Sequence, residues 1–169
     1  MLKITTKKGD DGTTELLFGV KVAKSSPEIA ALGAVDELNA ALGLVRVLLA
    51  EADDLARVQE LLIVLMGELA MPEGREAAYE KAGFSRVGQK DIDWLEARGR
   101  DLSEGQRASS WLRPGAEGAE LSARFHVART VARRAEREVW ALGEGRVPRE
   151  VRIFLNRLSD WLWLCAREG

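Results

Sequence analysis

Histidine and cysteine are nearly missing from this chain: its 169 residues include one of each, His126 and Cys165. A lone cysteine excludes an intrachain disulfide framework, and so few ligands exclude a conventional zinc or iron site. No apolar run approaches the ~18 residues of a membrane span. The start, Met1–Asp10 (MLKITTKKGD), lacks the apolar stretch of a secretory signal. Positive charge is not in excess either. A formal net charge of −2 argues against bulk nucleic-acid binding and makes any basic patch local. The expectation is a soluble cytoplasmic protein with neither nucleic acid nor a membrane as partner. What is plentiful is apolar side chain: 46% of residues are hydrophobic, enough for a proper core and one domain over residues 1–169.

Residues 1–27 differ in texture from the rest, being rich in Gly, Asp, Thr and Lys around short apolar islands at Ile4 and Leu16–Phe18. Asp10-Asp11-Gly12 is a turn signal, so an extended arm or loose hairpin is expected. Ser26-Pro27-Glu28 reads as a helix start. Helical periodicity then predicts a first helix over 28–50 on Val35, Leu38, Leu42, Val45 and Leu49, and a second over 54–70 on Leu55, Val58, Leu61, Leu62, Leu65 and Leu69. Met71–Arg86 is rich in charge and reads as a partly ordered loop. Further helices are expected over 90–103, 118–142 and from Pro148 to the end, with Ser109–Gly118 breaking the pattern. The economical architecture is all-α, a five-helix bundle with an irregular N-terminal arm.

Arg129, Arg133 and Arg137 recur every four residues in Ala123–Glu138, with Glu136 among them. At about 100° per residue, these side chains fall within roughly 100° of one another. The row lies beside the apolar stripe of Leu121, Ala128, Ala132, Ala135, Val139 and Leu142. Three guanidiniums on one face repel unless an anion sits against them. Partners in the fold, solvent or a polyphosphate could each answer that repulsion. On the last helix Asn156, Ser159 and Trp163 fall off the core stripe, which suits a subunit interface or a ligand surface. Asp36 and Asn39 lie one turn apart on the first helix, and Asp36 could pair with an arginine of the fourth, within the chain or across an interface. In the arm, Gly9–Thr14 (GDDGTT) is neither a Walker loop nor a calcium loop. Its glycines nevertheless free backbone amides to face an anion, with Lys7, Lys8, Lys21 and Lys24 beside them. Asp10 or Asp11 could reach a Mg²⁺ riding on phosphate oxygens.

Four stretches, in this order, resemble the ATP:cob(I)alamin adenosyltransferases of the propanediol-utilisation and methylmalonic-aciduria type. They are Thr6–Phe18 (TKKGDDGTTELLF), Val35–Leu44 (VDELNAALGL), His126–Arg137 (HVARTVARRAER) and Phe154–Arg167 (FLNRLSDWLWLCAR). The resemblance implies a trimer with an active site at each subunit interface, transferring the 5′-deoxyadenosyl group of ATP to the cobalt of cob(I)alamin and releasing triphosphate. It implies that Thr6, Lys7, Gly9, Asp10, Gly12, Thr13 and Lys24 bind ATP, the glycine arm wrapping the triphosphate. Arg133 and Arg137 would contact the phosphates, Glu136 would help hold Mg²⁺ or nucleotide, and Asn156 would bind nucleotide. Asp36 and Arg129 match an ion pair across the subunit boundary on the cobalamin side. A cobalamin reductase or an adenosylcobalamin-dependent enzyme would be a natural partner.

Such chemistry suits the residues present. Cob(I)alamin is itself a strong nucleophile, so alignment and leaving-group stabilisation matter more than a general base. Departures from the family pattern fall on both the corrin side and the arm. Trp111 and Trp163 stand where the family has phenylalanines, both still large and apolar. Lys7 replaces Arg, Lys8 replaces Thr and Val20 replaces a second Gly. With the chain ending at Gly169, a C-terminal lid over the corrin is expected to be short or absent. A non-catalytic relative that senses or carries ATP or adenosylcobalamin is the competing reading.

Overall fold

A computed structural model describes residues 9–104, 113–116 and 119–168. The long helices are α1 (Pro27–Arg46), α2 (Asp53–Leu69), α4 (Gln89–Ser103), α5 (Glu120–Ala141) and α6 (Arg149–Glu168). Each lies within a few residues of its apolar stripe. The largest difference is at the end of α1, where Leu48 N donates to Val45 O and Leu49 N to Arg46 O. Those i→i+3 bonds tighten the last turn and stop the helix before Leu49.

Two expectations need correction. The chain is not purely helical: Thr13–Glu15 (β1) and Lys21–Ala23 (β2) pair antiparallel, with Thr13 opposite Ala23 and Glu15 opposite Lys21. Strands of three residues are too short to show alternation, which is why the arm read only as a loose hairpin. The second correction is a sixth helix, α3 (Glu76–Lys81), within the segment expected to be a loop. It is held by Tyr79, which is buried and donates its hydroxyl to Ser85 O at 3.0 Å.

Around the bundle α2 packs on α1, α1 on α5, α5 on α6 and α6 on α4. Arg57 closes the ring from α2 to α4, lying 4.1 Å over Trp94 and 3.7 Å from Asp91. The interior is one apolar cluster that includes Leu38, Leu42, Leu62, Leu65, Leu155, Leu158 and Leu162, all fully buried. Among the described residues no helix is long and apolar enough to cross a membrane.

A buried carboxylate fastens the α3 loop to this core. Glu68 is 2% exposed; its Oε1 accepts Val87 N at 2.8 Å, and Oε2 lies 3.5 Å from Arg86 Nη1. Burial raises its pKa above that of an ordinary Glu, only partly opposed by the Val87 amide and Arg86. A raised folded-state value means the folded state holds the proton more tightly. Stability therefore falls as pH rises through that value, and the gain is complete only below the unfolded ~4.3. Glu68→Gln retains an acceptor for Val87 N without the buried charge. Chemical denaturation should find it at least as stable as wild type at about pH 8, an advantage that shrinks toward about pH 4.5. Destabilisation by more than about 2 kcal/mol at the higher pH would show that the ionised group is what holds the loop.

Candidate functional site

The groove between α5 and α6 is built from antiparallel rungs. Asn156 Nδ2 donates to Glu136 Oε1 at 3.2 Å. Four residues on along α5 and four back along α6, Arg152 stacks on Trp140, its guanidinium carbon 4.5 Å from the ring centre. Asn156 is aimed from behind: Arg157 donates Nη1 to Asn156 Oδ1 at 2.8 Å and Nε to Glu96 Oε1 of α4 at 2.7 Å. With its oxygen engaged by Arg157, the amide must present its nitrogen to Glu136.

The arginine row does not run along the core edge as expected; it turns away from it. Each step of four residues adds about 40° of rotation. Arg129 is accordingly half-buried, while Arg133 and Arg137 are exposed. Among the described residues none of the three is in an ion pair. Arg137 instead donates Nη1 to the Arg133 carbonyl at 3.1 Å, and Arg129 Nε is buried with no hydrogen-bond partner. The arginine that α5 does pair across the bundle is Arg134, bound to Glu37 of α1. Three cations thus share one face with no carboxylate neutralising them, an arrangement suited to an external anion.

On α1, Asp36 is exposed, and the chain's own ion pairs do not join it to Arg129. Trp163 is 41% exposed, with Arg167 stacked on it at 4.8 Å. Ser159 is not on this surface. It is 3% exposed, too near the core axis of α6, and its hydroxyl donates to Asn156 O at 3.0 Å. His126, one turn before Arg129, is buried with both ring nitrogens unpartnered. Burial, and then Arg129, lowers its pKa, so it stays neutral. Burial pushes the Cys165 thiol well up, removing it from thiolate chemistry.

The arm forms a separate cradle at the end of the bundle. Asp11 Oδ1 accepts both Thr13 N at 3.0 Å and Thr13 Oγ1 at 2.7 Å, and those bonds lower its pKa. Asp11 is therefore the turn-former, and Asp10 stands exposed beside it. Gly12 has φ +81°, a left-handed conformation that disfavours a side chain, and its carbonyl accepts Lys24 N at 2.9 Å. A Cβ on Gly9 would stand 2.9 Å from Lys24 Nζ, so the Lys24 ammonium lies directly over the glycine turn. Thr6, Lys7 and Trp111 lie outside the described residues. The hairpin is anchored to α2, Leu17 N donating to Ala70 O at 3.0 Å.

Among the described residues no three His, Cys, Asp or Glu are grouped to hold a metal ion. Glu136 and Asp10 each offer the hard carboxylate oxygen that a Mg²⁺ riding on phosphate and water would take. Arg152, Trp140 and Arg157 were not singled out from the sequence; only the packing of α6 on α5 and α4 makes them neighbours of the Glu136–Asn156 rung.

A family model described as cobalamin adenosyltransferase matches residues 4–168. A cobalamin adenosyltransferase of Cupriavidus metallidurans is 40% identical over 173 residues, covering 98% of this chain and 86% of that protein. A corrinoid adenosyltransferase of Citrobacter freundii is 36% identical over 172 residues, covering 99% and 94%. Among solved structures, a variant PduO-type ATP:corrinoid adenosyltransferase from Lactobacillus reuteri, complexed with cobalamin and ATP, aligns with a TM-score of 0.85 and 34% identity, over 98% of this chain and 89% of that one. Matched along nearly its whole length in sequence and in fold, the chain belongs to the cobalamin adenosyltransferase family.

Proposed function

We propose that this protein transfers the 5′-deoxyadenosyl group of ATP to cob(I)alamin, giving adenosylcobalamin and triphosphate. The observation that carries the reading is the unneutralised arginine row beside the oriented Glu136–Asn156 rung. The cobalt(I) electron pair forms the Co–C bond to the 5′ carbon. The C–O bond breaks with its pair on the α-phosphate oxygen, so the leaving triphosphate gains charge. Arg133 and Arg137 stabilise that charge, and Asn156 and Glu136 hold the nucleotide. Mg²⁺, when bound, neutralises phosphate oxygens. No side chain needs to remove a proton, which suits a site whose nearest histidine is buried and neutral.

The arm supplies the other wall: Gly9, Asp10, Gly12, Thr13 and Lys24, with Thr6 and Lys7, wrap the triphosphate. The complete site forms between subunits, in a homotrimer, the arm of one subunit facing the α5–α6 surface of the next. Asp36 of one subunit then pairs with Arg129 of the next, beside the corrin, where Trp111 and Trp163 exclude solvent. The single domain works in the cytoplasm, with cobalamin delivered reduced by a separate reductase.

Incubation with ATP, Mg²⁺ and chemically reduced cobalamin tests this, with the corrin spectrum and triphosphate release followed together. The expected result is one Co–C bond and one triphosphate per corrin consumed. A spectral shift without triphosphate would leave a carrier or sensor instead. Mg-ATP at about 100 times its dissociation constant should also raise stability by about 2.7 kcal/mol, and an unchanged melting temperature would remove both readings.

A further inference from the structure

Arg152 is the most anomalous charge in the molecule. It is 8% exposed, and its Nε and Nη1 are buried without a hydrogen-bond partner. Among the described residues its carboxylate neighbour is Glu144, 4.0 Å from Nη1 and almost fully in solvent. Apart from the Trp140 ring at 4.5 Å, nothing in the described structure compensates it. A buried cation left so poorly paired costs several kcal/mol, a cost that a bound anion would remove.

Its position says which anion. Along α6, Trp163 stands seven residues C-terminal to Asn156 and Arg152 four residues N-terminal, so the two lie on opposite sides of the Glu136–Asn156 rung, with the Trp140–Arg152 rung about 6 Å from it by helical rise. Resting on the adenosyl-transfer reading, the corrin occupies the Trp163 end. Displacement at the 5′ carbon is in line: cobalt enters on one side, and the oxygen of the triphosphate leaves on the other. The phosphates therefore extend away from Trp163, past Asn156, toward Arg152. We propose that Arg152 is a further phosphate-binding residue of this site, taking the end of the triphosphate distal to the ribose. Trp140 serves as its cover. Trp140 is 49% exposed, so its ring can swing outward, and Glu144, held only loosely, gives way to phosphate. Opened in this way, the guanidinium meets phosphate oxygens with its two unpartnered nitrogens, a bidentate match. The bland alternative is an apolar staple in which Arg152 merely packs Trp140 and ties α6 to α5.

Calorimetric titration of the intact protein with inorganic tripolyphosphate and, separately, with adenosine distinguishes these. Arg152→Met keeps an unbranched apolar stem under Trp140 but loses the charge. It should weaken tripolyphosphate binding about tenfold or more, the loss of one charge-assisted contact, and leave adenosine binding unchanged. Equal tripolyphosphate affinity in variant and wild type would overturn the proposal, as would a parallel loss for adenosine. If Arg152→Met does not fold, Trp140→Leu decides: it uncovers Arg152 and should bind tripolyphosphate at least as tightly as wild type, whereas weaker binding refutes the role. A wild-type protein that binds neither probe would refute the nucleotide site itself.

Discussion

Arg133→Ala is expected to lower adenosyl-transfer turnover by roughly 10²–10³-fold, the usual cost of removing one preorganised group that stabilises developing charge. The residue is exposed and makes no ion pair among the described residues, so the described fold does not depend on it. Its melting curve should match wild type, placing the loss on the reaction and not on stability. Arg133→Lys should stay well below wild type, because an ammonium cannot bind phosphate oxygens bidentately. The neighbouring Arg134→Ala supplies the control, since Arg134 is tied to Glu37 of α1. Its removal should cost up to about 1 kcal/mol of stability and leave turnover near normal. Steady-state rates at saturating ATP decide the matter: an Arg133→Ala enzyme within a few-fold of wild type would end the role given to the row.

Asn156→Asp should be nearly as damaging, although it changes no volume. Asn156 Nδ2 donates to Glu136 Oε1 at 3.2 Å, and Asp in its place would present oxygen to oxygen. Two carboxylates at that separation repel by about 5 kcal/mol at an effective dielectric of ~20. Partial solvent exposure and the Arg157 contact reduce this, and a loss on the order of 10²-fold in kcat/KM is expected at about pH 8. The pair relieves the repulsion by binding one proton, which raises one carboxyl pKa. Activity relative to wild type should consequently recover as pH falls toward about 6. A pH–rate profile parallel to wild type would show that the Glu136–Asn156 contact is incidental to nucleotide binding.

How much of this could be read in advance differs by element. The five long helices announced themselves because each carries an apolar stripe at helical spacing for about three turns or more, and burial of Leu38, Leu42, Leu62, Leu155 and Leu158 follows from that spacing alone. The hairpin was legible only as a loose one, from its Asp-Asp-Gly turn, and α3 not at all, because β1 and β2 have three residues each and α3 has six, too few for a period to repeat. Tertiary partners make them: the Leu17–Ala70 bond for the arm, and Tyr79 and Glu68 for the loop. The arginine row was visible as a spacing, but its tilt was misjudged. A repeat of four overshoots a turn by about 40°, so Arg137 ends up facing away from a core that Arg129 still touches.

From the sequence alone came the helical class, the scarcity of His and Cys that limits the available chemistry, and the motifs that align the chain with its family. Those depend on residue type and local spacing, which the chain carries with it. Only the tertiary structure decided which charges are satisfied. It paired Arg134 with Glu37, turned Asn156 onto Glu136 through Arg157, tied Asp11 to Thr13, and buried Arg152 under Trp140. Except for Asp11 and Thr13, these partnerships join different helices, so they depend on the antiparallel register of α5 on α6 and the packing of α1 and α4 beside them. Helix spacing names the face on which an arginine stands. What stands opposite is set by the packing of the whole bundle, and that is what leaves Arg129, Arg133 and Arg137 available to an anion.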